Sequence, residues 1–138
     1  MKNKIIMKKE DLPEIIPIFP LSNFIIFPET SVPLNIFETR YIQMVDECIK
    51  GNRIIGMAQP KKTNSTNMPD LYEVGCAGKI TSFKETKDGR YLIVLKGICR
   101  FRINKEKKNE KLYREFNIKF DEYINDLQGE TQKLNFQI

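Results

Sequence analysis

All seven prolines of this 138-residue chain lie at or before Pro69, and five of them fall between Pro13 and Pro33. Proline locks φ, lacks an N–H and breaks a helix interior, so the first third of the chain cannot hold a long uninterrupted helix. It reads instead as short extended pieces joined by corners. The residue before a proline is pushed towards β or polyproline geometry, which makes Ile16, Phe19, Phe27 and Val32 extended. Prolines within strands favour edges and ends. The stretch "FPETSVPLNIFETRY", from Phe27 to Tyr41, is therefore read first as a scaffold corner. Pro28 and Pro33 set its extended bends, Phe37 and Tyr41 anchor the element that follows, and Arg40 pairs with a nearby acid or carbonyl. Glu38 and Arg40, two apart, would not face each other if both were helical.

The hydrophobic period then changes. Phe37, Tyr41, Met44, Val45 and Cys48 follow i, i+4, i+7, i+8, i+11 spacing, one apolar helical stripe, with Arg40, Gln43, Asp46, Glu47 and Lys50 on the opposite side. Glu38 or Thr39 is the expected cap, and Gly51-Asn52 the expected left-handed stop. "RIIGMAQP" predicts a short strand ending at Pro60, and "KKTNSTNMPD" a polar, mobile surface loop.

From Leu71 the pattern is that of strands. Val74, Cys76, Gly78 and Ile80 alternate with Glu73, Gly75, Ala77 and Lys79, predicting a core face and a wetter face. An Asp88-Gly89 hairpin turn leads into "YLIVLKG", apolar on both faces and therefore central. After Gly97, "ICRFRI" sets Cys99, Phe101 and Ile103 inward with Arg100 and Arg102 outward. A charged turn, "NKEKKNEK", precedes a last strand in which Leu112, Phe116, Ile118 and Phe120 align.

This length suits one domain around one core. Hydrophobic residues at 41% and charged residues at 30% match an ordinary globular chain. The longest apolar runs, Phe24 to Phe27 and Tyr91 to Leu95, fall far short of the ~20 residues that span a bilayer. The N-terminal residues lack a signal-peptide pattern, and a cytoplasmic protein is expected. Three dispersed cysteines, Cys48, Cys76 and Cys99, with no histidine anywhere, predict neither a disulfide framework nor a metal site, so they are read as core residues. The Asn64-Ser65-Thr66 sequon has no meaning without secretion.

Several chemistries lack their residues. Without histidine the usual Ser or Cys triads are excluded. Ser22, Ser31 and Ser82 coexist with lysines but show no nucleophile-elbow pattern. Neither common phosphate-binding glycine loop is present, so no cofactor is expected. Basic residues exceed acidic ones by 23 to 18, a net charge of +5. Lys79, Lys84, Arg90, Lys96, Arg100 and Arg102 are placed to share an exposed sheet face that could hold phosphates, although few aromatics interleave them as stacking platforms.

The blocks "IPIFPLSNFIIFPETSVPLNIFETRY", "IGMAQP", "LYEVGCAGKITSF", "DGRYLIVLKGICRFRI" and "YREF", in this order, resemble the N-terminal substrate-binding domain of Lon-type ATP-dependent proteases. Small stand-alone bacterial proteins that carry only that domain are especially similar. The resemblance runs from about Leu12 to Asp121. Asn35 stands where the family often has histidine, and Thr39 where it often has proline.

The resemblance implies a mainly β fold, a PUA-like pseudobarrel of roughly six strands with one packed amphipathic helix. It divides the chain into a basic tail at 1–11, the domain at 12–124 and a C-terminal stub at 125–138. It marks Pro20, Pro28, Pro33, Phe37, Glu38, Arg40, Tyr41, Gly75, Cys76, Gly78, Gly97 and Arg100 as structural positions. A helical region normally follows the domain, so Phe120, Tyr123 and Leu127 are expected to be uncovered, or to meet another copy in a homodimer. The implied function is non-catalytic binding of unfolded or degron-bearing polypeptide, alone or for a protease that supplies the ATPase and Ser-Lys peptidase parts. RNA binding is the alternative, because PUA-like barrels include RNA-binding modules.

Overall fold

The proline-rich first third forms two short strands, β1 (Ile15–Pro20) and β2 (Ser31–Ile36), as its extended geometry requires. They are followed by α1 (Thr39–Lys50), β3 (Ile54–Ala58), β4 (Val74–Glu85), β5 (Tyr91–Lys107) and β6 (Glu115–Lys119), and by a 3-10 segment, Asp121–Gln128, that kinks at Tyr123. The computed structural model describes residues 8–22, 26–61 and 69–128. Most of the expected tail and stub, Phe24 and the polar loop at 62–68 with its sequon lie outside the described residues. Among the described residues no helix is long and apolar enough to cross a membrane.

The strands pair in the order β2-β5-β4-β3-β1-β6, and β6 returns to pair with the far half of β5. The sheet thereby closes on itself, the expected PUA-like pseudobarrel. Among the described strands only β1 and β3 run parallel. β5 is a single strand of 17 residues, where the sequence reading placed two pieces around Gly97. It pairs with β2 through its first half and β6 through its second. Residues skipped in the registers, Thr81, Ile98 and Asn104, mark bulges. Bulges bend a strand and sharpen its twist, which lets one strand serve both halves of the barrel.

Two apolar clusters form on opposite faces of the sheet. One holds Tyr41, Met44, Val45 and Cys48 of α1 against Ile55, Met57, Cys76, Ile80, Ile93 and Leu95. The other gathers Ile16, Ile18, Phe101, Phe116, Ile118 and Phe120. All five residues of β3 are buried because both of its faces are covered. Gly97 lies under the Phe27–Thr30 turn, where an added Cβ would sit 2.0 Å from the Phe27 carbonyl oxygen. In that turn Thr30 N–H donates to Phe27 C=O at 3.1 Å, Pro28 precedes Glu29, and Glu29 adopts φ 70°. Proline followed by a positive φ is the arrangement of a type II turn.

Several expectations are corrected. Phe37 is not on the helical stripe: α1 starts at Thr39, Glu38 before it is extended (φ −75°, ψ 139°), and Phe37 is 66% exposed. The left-handed residue after α1 is Arg53 (φ 64°), whereas Gly51 has φ −111°. The Asn52 side chain instead accepts the Ile54 N–H at 3.0 Å and turns the chain. Val74 and Leu112 are exposed, at 38% and 55%. The turn before β6 runs longer than its charges suggest and buries Tyr113 in place of Leu112. Leu92 is also exposed, since the outer face of β5 has no layer over it there.

Candidate functional site

A groove of about 670 Å³ opens between β1, β2 and the start of α1. Phe19, Pro20, Leu21 and Ser22 form one wall, Pro33, Leu34 and Asn35 the other; Phe37, Glu38, Arg40 and Tyr41 line the start of α1, and Pro60 and Pro69 flank it. Phe19 and Tyr41 meet edge-on, ring centroids 4.5 Å apart, and anchor the helix start to β1. Burial raises the Tyr41 hydroxyl above its ordinary pKa. Phe37 offers a largely uncovered ring at the groove.

Among the described lining residues two are charged, Glu38 and Arg40, and they pair with each other at 3.4 Å. That pairing is possible across two residues because Glu38 is extended and only Arg40 is helical. Glu38 occupies the cap position, but its side chain makes no cap hydrogen bond. The expected scaffold corner is thus also the lip of the groove.

A second hollow of about 210 Å³ lies between Ile26, Phe27, Met57, Val74, Gly75, Cys76 and Arg100. Gly75 has no room for a side chain, since a Cβ there would lie 2.4 Å from Met57 O and 2.8 Å from the Phe101 ring. Gly78 is buried and pairs with Gly97 across β4 and β5.

The expected basic face does not present a run of unpaired charge. Arg100 is held by Asp126, Arg102 by Glu122 and Glu73, Arg90 by Asp88, and Lys96 by Glu29. Hydrogen bonds to Glu122 raise the Arg102 pKa further, consistent with a guanidinium committed to its partner. Among the described residues, Lys79 and Lys84 remain without an ion pair.

The residues expected to be uncovered at the C-terminal end are not. Phe120 is buried, and Tyr123 and Leu127 are partly buried against the second cluster. The 3-10 segment folds back over the barrel and supplies its own cover. Lys9 of the expected tail reaches the same segment through Asp121 at 3.0 Å.

The cysteines are inert. All three are buried and unpaired, and burial pushes each thiol up to about 12. At such values the reactive thiolate is scarce. Among the described residues no cluster of His, Cys, Asp and Glu suits a metal ion.

Sequence reasoning missed Phe19, Leu21, Asn35, Pro60 and Pro69 as groove residues, and Asp126 as the partner of Arg100. No local pattern distinguishes them.

The family model described as "ATP-dependent protease La (LON) substrate-binding domain" matches residues 15–135. A Lon protease of Cytophaga hutchinsonii is 30% identical over 106 residues, 75% of this chain and 13% of that protein. A Lon protease of Syntrophus aciditrophicus is 34% identical over 97 residues, 67% of this chain and 12% of that protein. The chain thus spans only a small fraction of the relatives it matches. Among solved structures, a Lon N-terminal domain protein from Xanthomonas campestris superimposes with TM-score 0.63 at 23% identity, covering 77% of this chain and 59% of that one. The N-terminal domain of a Mycobacterium avium complex Lon protease does so with TM-score 0.60 at 14% identity, covering 77% and 54%. These structural likenesses carry the fold, and the sequence match carries the membership: the chain belongs to the family of the substrate-binding domain of ATP-dependent protease La (LON).

Proposed function

We propose that this chain is a non-catalytic module that binds unfolded or degron-bearing polypeptide in the cytoplasm, alone or for a protease that supplies ATPase and peptidase parts. The observation that carries this reading is the groove beside Phe37, which mixes apolar side chains (Phe19, Leu21, Leu34, Phe37) with the polar Ser22 and Asn35 and whose charged lining residues among those described, Glu38 and Arg40, pair with each other. Such a surface suits uncharged, apolar segments, which folded proteins bury and unfolded ones expose. Family membership points the same way. Inert thiols and the absence of histidine from the sequence support a binding role over a catalytic one.

The RNA alternative loses its support once the arginines of the sheet face are engaged by carboxylates, because phosphate binding needs cations available to displace counterions. The test is a fluorescence anisotropy titration with labelled, reduced and carboxymethylated α-lactalbumin, which cannot refold. Saturable binding in the micromolar range is expected, with native α-lactalbumin not competing. A flat titration through high micromolar protein overturns the reading, as does tighter, steeply salt-dependent binding of single-stranded RNA.

A further inference from the structure

Among the described strands, the groove lies at a seam where the barrel is not zipped. β6 bridges β1 and β5 at one end, but it reaches only Ile15–Pro17 of β1. Beyond that, Phe19 and Pro20 of β1 pair with β3 alone, and β2 pairs with β5 alone. These two strands face each other across the groove without pairing.

The outward edge of β2 follows from its register. Gly97 N–H donates to Thr30 C=O at 2.8 Å, and Val32, Leu34 and Ile36 lie opposite Leu95, Ile93 and Tyr91. Alternate residues of an antiparallel strand direct both backbone groups to the same neighbour. Val32, Leu34 and Ile36 therefore face β5, while Ser31, Pro33 and Asn35 turn theirs away from it, Pro33 and Asn35 at the groove wall. The placement of Pro33 agrees, since an outward position is where a missing N–H costs the ladder nothing.

We propose that an extended, uncharged segment of polypeptide adds as a strand to the outer edge of β2, filling the seam and laying an apolar side chain beside Phe19, Phe37 and Tyr41. This deepens the polypeptide-binding reading and rests on it. Charge selects the occupant: with Glu38 and Arg40 neutralising each other, a charged segment would be desolvated without a partner. Backbone pairing explains breadth, because main-chain hydrogen bonds supply affinity whatever the sequence. A second copy of the chain is disfavoured by Pro33, since a two-fold β2–β2 pairing centred there sets two prolines opposite each other with no N–H to exchange.

The test compares Asn35→Pro with Asn35→Ala in titrations of the full chain with reduced, carboxymethylated α-lactalbumin. Asn35→Ala keeps the backbone N–H and sets the side-chain contribution; Asn35→Pro removes an outward donor and leaves the β5 ladder intact. Asn35→Pro is expected to bind about tenfold more weakly than Asn35→Ala. Amide exchange at Ser31 and Asn35 of the parent, followed by NMR at saturating polypeptide, is expected to slow by about tenfold or more, and this measurement decides alone if Asn35→Pro does not fold. Equal binding by the two variants, or unprotected amides in a parent that binds, overturns strand addition while polypeptide binding stands. A parent that does not bind overturns both. Protection of the two amides in a concentration-dependent dimer without polypeptide assigns the edge to a second copy and overturns the proposal.

Discussion

Arg100 and Asp126, 26 residues apart in the chain, are joined by three hydrogen bonds of 2.9 Å: the Arg100 backbone N–H and Nε donate to Asp126 Oδ2, and Nη2 donates to Oδ1. The pair fastens the C-terminal 3-10 segment to β5, and the Arg100 guanidinium also lies over the Tyr123 ring at 4.7 Å. Asp126 is buried, while Arg100 keeps half its side chain in solvent.

Replacing the carboxylate tests that link. Burial pushes the Asp126 carboxyl up, but hydrogen bonds from the Arg100 side chain and backbone, together with the guanidinium charge, outweigh it and hold the group below its ordinary value. A depressed carboxylate stabilises the fold above its unfolded pKa, and that contribution is lost as pH falls through the lower folded value. Stability from urea unfolding should therefore fall off below about pH 4. Asp126→Ala should cost about 1.5–3 kcal/mol at neutral pH, the range for hydrogen bonds to a charged group. Its pH profile should be flatter than the parent's in the acid limb.

Gly97→Ala tests the close approach of the Phe27–Thr30 turn. The clash is with backbone atoms, which cannot rotate away, so the turn must shift. The expected loss is about 1–3 kcal/mol, as for overpacking elsewhere. A thermal midpoint within a degree of the parent's would show that the turn moves freely.

Thiol chemistry tests the core. With all three thiols raised to about 12 and buried, iodoacetamide at pH 8 should leave the native protein unmodified by mass spectrometry over a period in which a urea-unfolded sample gains three adducts. A single rapid adduct on the native chain would place one cysteine outside the core.

Phe37→Ser separates binding from stability. The ring is mostly in solvent, so unfolding free energy should change by no more than about 0.5 kcal/mol. Affinity for unfolded α-lactalbumin should fall by about tenfold or more, as for an aromatic anchor. A buried aromatic lining the same groove, Tyr41, should show the reverse weighting, with Tyr41→Ala costing about 3 kcal/mol or more of stability.

Much of the fold was legible residue by residue. Tyr41, Met44, Val45 and Cys48 recur at helical spacing, and all four are buried. Cys99 and Phe101 alternate with Arg100 and Arg102 and occupy opposite faces. The errors sit where a local period was extended past its element. Phe37 continues the stripe of α1 arithmetically, but the chain is not yet helical there. Leu112 and Tyr113 lie in the turn before β6, so the strand alternation that reached back from Phe116 to Leu112 did not apply there. Val74 begins β4 in the alternation of a core residue, yet no layer covers that end of the sheet.

The sequence by itself determined the elements: where helix is forbidden by proline, which stripe of α1 is apolar, which strands alternate, and that no histidine is available for catalysis. These are properties of neighbours within a turn or a pleat, and periodicity records them directly. Only the tertiary structure decided that β6 closes one end of the barrel and leaves a seam at the other, that Phe37 stands at its lip, and that Arg100 and Arg102 of the basic face are taken up by Asp126, Glu73 and Glu122. A groove is the space between elements, and an ion pair such as Arg100–Asp126 joins residues far apart in the chain. Their existence depends on which long-range pairings form and how the strands twist, and no local spacing encodes either.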